Sequence, residues 1–199
     1  KTEIPEVVII EPNVFGDHRG YFLESYNQVE FEENIGEITF VQDNESKSNS
    51  KGVLRGLHFQ LPPFTQAKLV RVIKGKVLDV AVDIRRNSLT FGKYVSVELS
   101  EKNKKQLFVP GGFAHGFIVL SEEAIFAYKV DAYYSAEHEE GIAYNDKDVN
   151  IDWHLLEKDI ILSKADQNYS NLADNKKLFW FIYYVHFSYR SKWTVREVY

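Results

Sequence analysis

Four side chains stand where their type and setting could support proton chemistry. His58 lies in VLRGLHFQ, a short segment with strand-forming residues. It is one of six histidines, so position alone also fits an ordinary core or surface imidazole. Regular period-two geometry places Arg55 and Leu57 on one face and Leu54, Gly56 and His58 on the other. A bulge at Gly56 would break that count. His115, in VPGGFAHGF, is surrounded by three glycines within six positions, which allow tight turns and close backbone approach. The same glycines also describe a plain barrel corner. Lys68 opens an apolar strand after a proline-rich turn. Pointing inward, its ammonium can stabilise negative charge developing on an oxygen, whereas at an edge it simply snorkels. Tyr128, in FAYKV, is either a buried phenol needing one hydrogen bond or, beside a substrate, a general acid.

A metal reading of the histidines is weak. A local signal would be His-x-His followed by a carboxylate, but position 60 is Gln. Pro62, Phe64 and Gln66 follow, and no carboxylate appears before Asp79. Lys68 adds a positive charge nearby, and His58 with His115 falls short of three protein ligands. Arg19, Arg55, Lys68 and Arg71 lie near predicted strands or strand ends, where arginine suits a phosphate and where surface charge is equally ordinary. Neither GxGxxG nor GxxxxGK[ST] is present, so those routes to a nucleotide cofactor have no support.

The elements that must carry these residues are mostly strands. The pattern predicts strands over Val7–Ile10, Tyr21–Tyr26 and Val53–Gln60, with EPNVFGDHRG read as a turn. It predicts a helical turn or two over Val29–Ile35, an extended Ile38–Asp43 and a polar loop over Asn44–Gly52. Further strands follow in KLVRVIKG and KVLDVAVDIR, and then in YVSVELS, KKQLFVPGG, FAHGFIVL and Ala124–Val130. KVLDVAVDIR alternates cleanly, with Val77, Asp79, Ala81 and Asp83 facing one way and Leu78, Val80, Val82 and Ile84 the other. Glu137–Glu140 reads as a charged loop, and a short helix is expected around His154–Asp159. Short strands separated by Gly, Pro and Asn turns, without alternating long helices, predict an all-β sandwich, jelly roll or barrel in one domain over 1–199.

Composition narrows the partners. Fourteen Phe, 12 Tyr and 3 Trp favour packed strands. A net charge of -5 argues against a nucleic-acid backbone binder, while leaving room for a small anionic substrate. With no cysteine, disulfides, thiolate sites and Cys nucleophiles are excluded, which fits a reducing, cytoplasmic setting. KTEIPEVVII lacks a signal-like pattern, and the apolar run Leu178–Phe187 is too short to span a bilayer. The chain therefore reads as soluble, without a membrane partner. The last 20 residues, aromatic and mildly basic, are compatible with a helix or an edge strand.

Several segments together resemble one family. FGDHRGYFLESY (Phe15 to Tyr26), FVQDNESKS (Phe40 to Ser48) and GVLRGLHFQ (Gly52 to Gln60) appear in family order. QAKLVRVIKGKVLDVAVDIR (Gln66 to Arg85), SLTFGK (Ser88 to Lys93), FVPGGFAHGF (Phe108 to Phe117), AYKV (Ala127 to Val130) and EEGIAYND (Glu139 to Asp146) follow. In this order they resemble the dTDP-4-dehydrorhamnose 3,5-epimerases, over roughly residues 1 to 170.

That resemblance implies a cupin-type jelly-roll β-barrel with short peripheral helices, and conversion of dTDP-4-dehydro-6-deoxy-D-glucose to dTDP-4-dehydro-6-deoxy-L-mannose (dTDP-4-dehydro-L-rhamnose). It implies His58 as base, Asp166 as its partner, Lys68 near the 4-keto oxygen and Tyr128 as acid. It places substrate contacts on Arg19, Glu24, Gln42, Asn44, Arg55, His115 and Glu139, with Lys164 as a further candidate. It implies no cofactor and no metal. It also implies a homodimer with sites near the interface, Arg19 serving the partner's site. The family often reads Ser-x-Lys-Asp, whereas here Ser163, Lys164, Ala165 and Asp166 put alanine at the lysine position. Tyr144 replaces a common tryptophan, and Glu140 a common arginine. Enzymes epimerising only C3 or only C5, a 4-keto-sugar isomerase and a non-catalytic sugar-binding cupin are the neighbouring readings.

Overall fold

A computed structural model describes residues 2–178. Two five-stranded antiparallel sheets face each other. The strands are β1 (Val8–Ile10), β2 (Val14–Asp17), β3 (Gly20–Leu23), β4 (Gln42–Ser48), β5 (Leu54–Gln60) and β6 (Lys68–Lys74). They continue with β7 (Lys76–Asp83), β8 (Tyr94–Ser100), β9 (Gln106–Val109), β10 (Phe113–Val119), β11 (Ala124–Val130) and β12 (Glu139–Gly141). One sheet runs β1-β9-β6-β11-β4 and the other β12-β5-β10-β7-β8, while β2 and β3 form a separate hairpin. This is the expected all-β, jelly-roll architecture, with strands crossing between sheets so that neighbours in space are rarely neighbours in sequence. Gly75, at φ +81°, turns the chain from β6 in one sheet to β7 in the other. A Cβ there would lie 2.1 Å from the Glu123 carbonyl oxygen.

Three apolar layers hold the sheets. Val70, Val72, Val77, Ala81, Phe117, Val119 and Phe126 fill the space between them. Leu54, Leu57, Leu78, Val80, Val82 and Ile84 face outward, where Ile142, Trp153, Leu172 and Leu178 cover them. Both faces of β7 are thus buried, which accounts for its apolar residues at both parities. On the other sheet, Phe31 of α1 (Gln28–Asn34) packs against Leu69 and Phe108. The helix is short and capped by Asn27, whose side chain accepts from the Val29 and Glu30 amides. Each large aliphatic side chain buried in these layers contributes about 1.5–3 kcal/mol.

Four expectations require correction. EPNVFGDHRG is not simply a turn, because Val14–Asp17 pairs with Gly20–Leu23 and only the tip reverses direction. The expected polar loop at 44–52 is largely strand, since β4 pairs along its length with β11. Its inward residues, Gln42, Asn44, Ser46 and Ser48, pair laterally with Val130, Tyr128, Phe126 and Ala124. A strand polar on both faces carries no hydrophobic alternation, so period two has nothing to detect. Glu139 and Glu140 belong to β12 rather than to a loop, paired with Gln60 and Phe59. The expected helix at 154–159 shrinks to a single 3-10 turn, Glu157–Asp159. The extended or helical options for the C-terminal aromatic run fall outside the described residues. Within them, no helix is long and apolar enough to cross a membrane.

Candidate active site

The position of His58 depends on a bulge. His115 pairs with His58 and Phe117 with Arg55, so Gly56 and Leu57 together oppose the single residue Gly116. Leu54 and Leu57 consequently both join the outer layer, three residues apart. His58 therefore shares the inner face with Arg55, not with Leu54 as unbroken alternation predicts. Gly56 is required here, with φ at +133° and an added Cβ only 2.5 Å from the Gly116 Cα. Leu57 and Phe59 anchor the strand outward while His58 points into the space between the sheets.

Asp166 meets His58 there. His58 Nε2 donates to Asp166 Oδ1 at 2.6 Å. The Ser163 hydroxyl donates to Oδ2 at 2.7 Å and accepts from the Asp166 amide at 3.1 Å. Burial raises the Asp166 pKa, but the bonds from His58 and Ser163 outweigh it and hold the carboxyl below its usual range. Asp166 is thus an anion locked in place. His58 Nδ1 has no hydrogen-bond partner among the described residues. An imidazole that donates one N–H to a carboxylate presents a lone pair at the other nitrogen, the arrangement of an oriented general base.

A second histidine–carboxylate pair lies beside the first. His115 Nε2 donates to Asp79, at 3.0 Å to Oδ1 and 3.1 Å to Oδ2. Burial lowers the His115 pKa, with Lys68 and His58 adding to the effect and Asp79 opposing it. Lys68 projects inward, and burial pulls its ammonium down to about 8 against the fields of Asp79 and Glu139. Asp79 is completely buried and received no role from the sequence. Its signal was present: an aspartate between Val77 and Ala81 on the inward face of a buried strand needs a partner.

Tyr128 is half-buried opposite Asn44 on the same inner face. Burial raises its pKa, Glu139 adds to this and Arg55 opposes it. Its phenol therefore stays protonated at neutral pH. Gln42 Nε2 donates to Asn44 Oδ1 at 2.7 Å. From the facing sheet, Arg55 donates to the Ser48 hydroxyl and the Lys47 carbonyl, both at 3.3 Å. Glu139 accepts from the Tyr134 hydroxyl at 2.7 Å. Gln60 is committed elsewhere. Its amide binds the carbonyls of Phe64 and Tyr133 and the amide of Ser135, stapling two loops at the barrel mouth.

Three candidates stand apart from this group. Arg19 pairs with Asp17 at 2.6 Å at the hairpin tip, its side chain 79% exposed. Glu24 is exposed and accepts from Asn27 at 3.0 Å. Lys164 is exposed and forms no ion pair among the described residues. Ala165 is exposed beside it, and two departures from the family pattern contact nearby chain. Glu140 pairs with Lys177, and Tyr144 donates to Glu157 at 3.4 Å. No group of three His, Asp or Glu side chains suited to a metal occurs among the described residues.

The antiparallel barrel enclosing a histidine–aspartate pair, a lysine and a tyrosine defines a cupin-type fold with titratable side chains gathered in its interior. The family model described as dTDP-4-dehydrorhamnose 3,5-epimerase matches residues 1–174. A curated dTDP-4-dehydrorhamnose 3,5-epimerase of Shigella flexneri is 57% identical over 175 residues, covering 87% of this chain and 95% of the relative. The chain belongs to the dTDP-4-dehydrorhamnose 3,5-epimerase family. Among solved structures, an Elizabethkingia anophelis dTDP-4-dehydrorhamnose 3,5-epimerase superposes with TM-score 0.83 at 54% identity, covering 89% of this chain and 96% of that one. A Legionella pneumophila dTDP-6-deoxy-D-glucose-3,5-epimerase, solved with dTDP-4-keto-L-rhamnose, gives TM-score 0.87 at 50% identity, covering 92% and 97%.

Proposed function

We propose that this chain epimerises C3 and C5 of dTDP-4-dehydro-6-deoxy-D-glucose, giving dTDP-4-dehydro-L-rhamnose. The observation that carries the reading is the 2.6 Å bond between His58 and Asp166 inside the barrel of a member of this family. C3 and C5 both flank the C4 ketone, so loss of either proton leaves an enolate with its charge on the C4 oxygen. His58 takes the proton at Nδ1, and Asp166 stabilises the imidazolium formed. Lys68 meets the charge developing on the C4 oxygen. Tyr128 returns a proton to C5 and a solvent water returns one to C3, each from the face opposite His58; the imidazolium then gives its proton to solvent, and the phenolate or hydroxide left behind takes one back. The configuration inverts because removal and return occur on opposite faces. The adjacent ketone supplies the acidity, so the chemistry calls for no cofactor.

Arg55, Gln42, Asn44, His115 and Glu139 border the same space and are proposed to hold the nucleotide sugar. Arg19 and Glu24 join them from a second subunit. The hairpin exposes Phe15, Tyr21 and Phe22, which a partner would cover. Lys164 is the remaining substrate contact proposed, reaching in from the Asp166 turn. The cysteine-free chain and its nucleotide-sugar substrate fit a cytoplasmic enzyme.

Incubation with dTDP-4-dehydro-6-deoxy-D-glucose in D2O, followed by NMR, tests the reading. Deuterium should enter at both C3 and C5, and His58→Ala should stop both exchanges. Exchange at one carbon would make the chain a mono-epimerase. Exchange at neither would leave a non-catalytic sugar-binding cupin.

A further inference from the structure

Tyr169 occupies a place that neither base nor carboxylate explains. It lies three residues beyond Asp166 on the same turn. Its ring meets the His58 imidazole in a T-shaped arrangement, with centroids 5.7 Å apart and planes at 68°. Beneath it is Gly141, the direct cross-strand partner of His58. A Cβ at Gly141 would fall 2.6–2.7 Å from three atoms of the Tyr169 ring. The glycine is thus the floor on which the ring rests, and no other residue type leaves that space. Gly141 does not need its conformational freedom, since its φ lies outside the left-handed region.

The turn carrying the ring is itself tied down. The Ala143 amide donates to the Ser170 carbonyl at 2.9 Å, and the Leu172 amide donates to Asp146 at 2.5 Å. Leu172 is buried in the outer layer. Asp166 and Tyr169 therefore approach His58 from one rigid segment, one through a hydrogen bond and the other through a ring contact.

A single bond at Nε2 fixes one atom of the imidazole but leaves the ring free to tilt about it. A neighbouring ring removes that freedom. The Tyr169 hydroxyl has no hydrogen-bond partner among the described residues. Burial, with Glu139, Asp166, Glu140 and Tyr134, pushes this phenol up to about 12, so it stays protonated and uncharged at neutral pH. The ring is what matters.

We propose that Tyr169, seated on Gly141, is a positioning residue that holds the His58 imidazole in the orientation presenting Nδ1 to substrate. This rests on His58 being the base. Tyr169→Ala should lower kcat about 10- to 100-fold, the scale of a displaced catalytic group, while KM changes less than about threefold. Tyr169→Phe should keep kcat within about threefold, because the ring is retained. Gly141→Ala should match Tyr169→Ala, since the new methyl displaces the ring. The Gly141→Ala/Tyr169→Ala double variant should be no slower than Tyr169→Ala alone, because the methyl then enters vacated space.

Histidine 15N NMR supplies a readout independent of turnover. The wild-type His58 ring should give one sharp set of signals with its proton at Nε2, and Tyr169→Ala should shift and broaden them through ring motion while Asp166 keeps the proton at Nε2. The proposal is overturned if Tyr169→Ala leaves either kcat or the His58 ring signals unchanged. It is equally overturned if Tyr169→Phe is as slow as Tyr169→Ala, or if the double variant shows additive losses. Full activity in His58→Ala would instead remove the reading on which it rests.

Discussion

Asp166 reaches His58 across 108 residues of chain, and the two meet at 2.6 Å with Ser163 holding the far carboxylate oxygen. In the proposed mechanism the carboxylate has two tasks: to hold the imidazole N–H at Nε2 and to stabilise the imidazolium. Asp166→Asn keeps the shape but removes the charge. Its kcat should fall about 10²- to 10⁴-fold, the range for impaired general acid–base catalysis. Ser163→Ala leaves the charge and only loosens its orientation, so the drop should be about 3- to 10-fold, the equivalent of one ordinary intramolecular hydrogen bond. Steady-state kinetics on purified variants with unchanged circular dichroism checks both. An Asn variant with wild-type kcat would remove Asp166 from the mechanism.

Lys68 should set the alkaline limit. Its pKa of about 8 means that the free enzyme loses the ammonium as pH rises through that value. The kcat/KM profile should bend downward near pH 8, and Lys68→Met should lose turnover and the bend together.

The same charge affects stability. The folded value of about 8 lies below the ordinary 10.5. Between the two, the unfolded chain binds more protons, so stability rises with pH across that window. At neutral pH the buried ammonium is a cost, and Lys68→Met should stabilise the protein by on the order of 1–2 kcal/mol. Thermal melts of the two proteins at pH 7 and pH 10 should show the gap narrowing as pH rises.

If Arg19 serves a neighbouring subunit, two dead enzymes should make one live one. Arg19→Ala and His58→Ala homodimers, unfolded and refolded together, should regain part of the wild-type activity. Each mixed dimer contains one site with both residues intact. Sedimentation should show a dimer. No recovery after verified subunit exchange would place Arg19 in its own chain's site or outside any site.

Asp83 tests a part of the barrel remote from substrate chemistry. It is fully buried and accepts from Arg85 Nε at 2.9 Å, and from the Ser88 and Thr90 hydroxyls, each at 2.6 Å. Burial raises its pKa, but these bonds win and the net shift is downward. Its folded value therefore lies below its unfolded value, and its contribution is full at neutral pH and lost as pH falls through the folded pKa. Asp83→Ala leaves Arg85 buried without this anion and should cost about 3–5 kcal/mol. Denaturant titration should show the loss at pH 7 and a smaller difference from wild type in strong acid.

Legibility followed hydrophobic contrast. β7, β8, β10 and β11 declared themselves because their apolar residues face protein, and α1 because Asn27 caps it. β4 was missed because its inward row of Gln42, Asn44, Ser46 and Ser48 borders a polar space. The Gly56–Leu57 bulge was invisible as a certainty, since a glycine in a strand marks either a bulge or a close approach. Here it marks both. Asp79 stood in plain view on β7, but its partner, His115, is 36 residues away.

The sequence by itself determined an all-β barrel, its family and the candidate site residues, because these depend on residue type and order along the chain. Tertiary structure alone decided which way His58 points, that Nε2 is engaged and that Asp79 shares the interior with Lys68. It also decided that Tyr169 rests on Gly141 beside the imidazole. Those relationships depend on strand register and on contacts between distant segments, where one extra residue in β5 turns every following side chain to the opposite face.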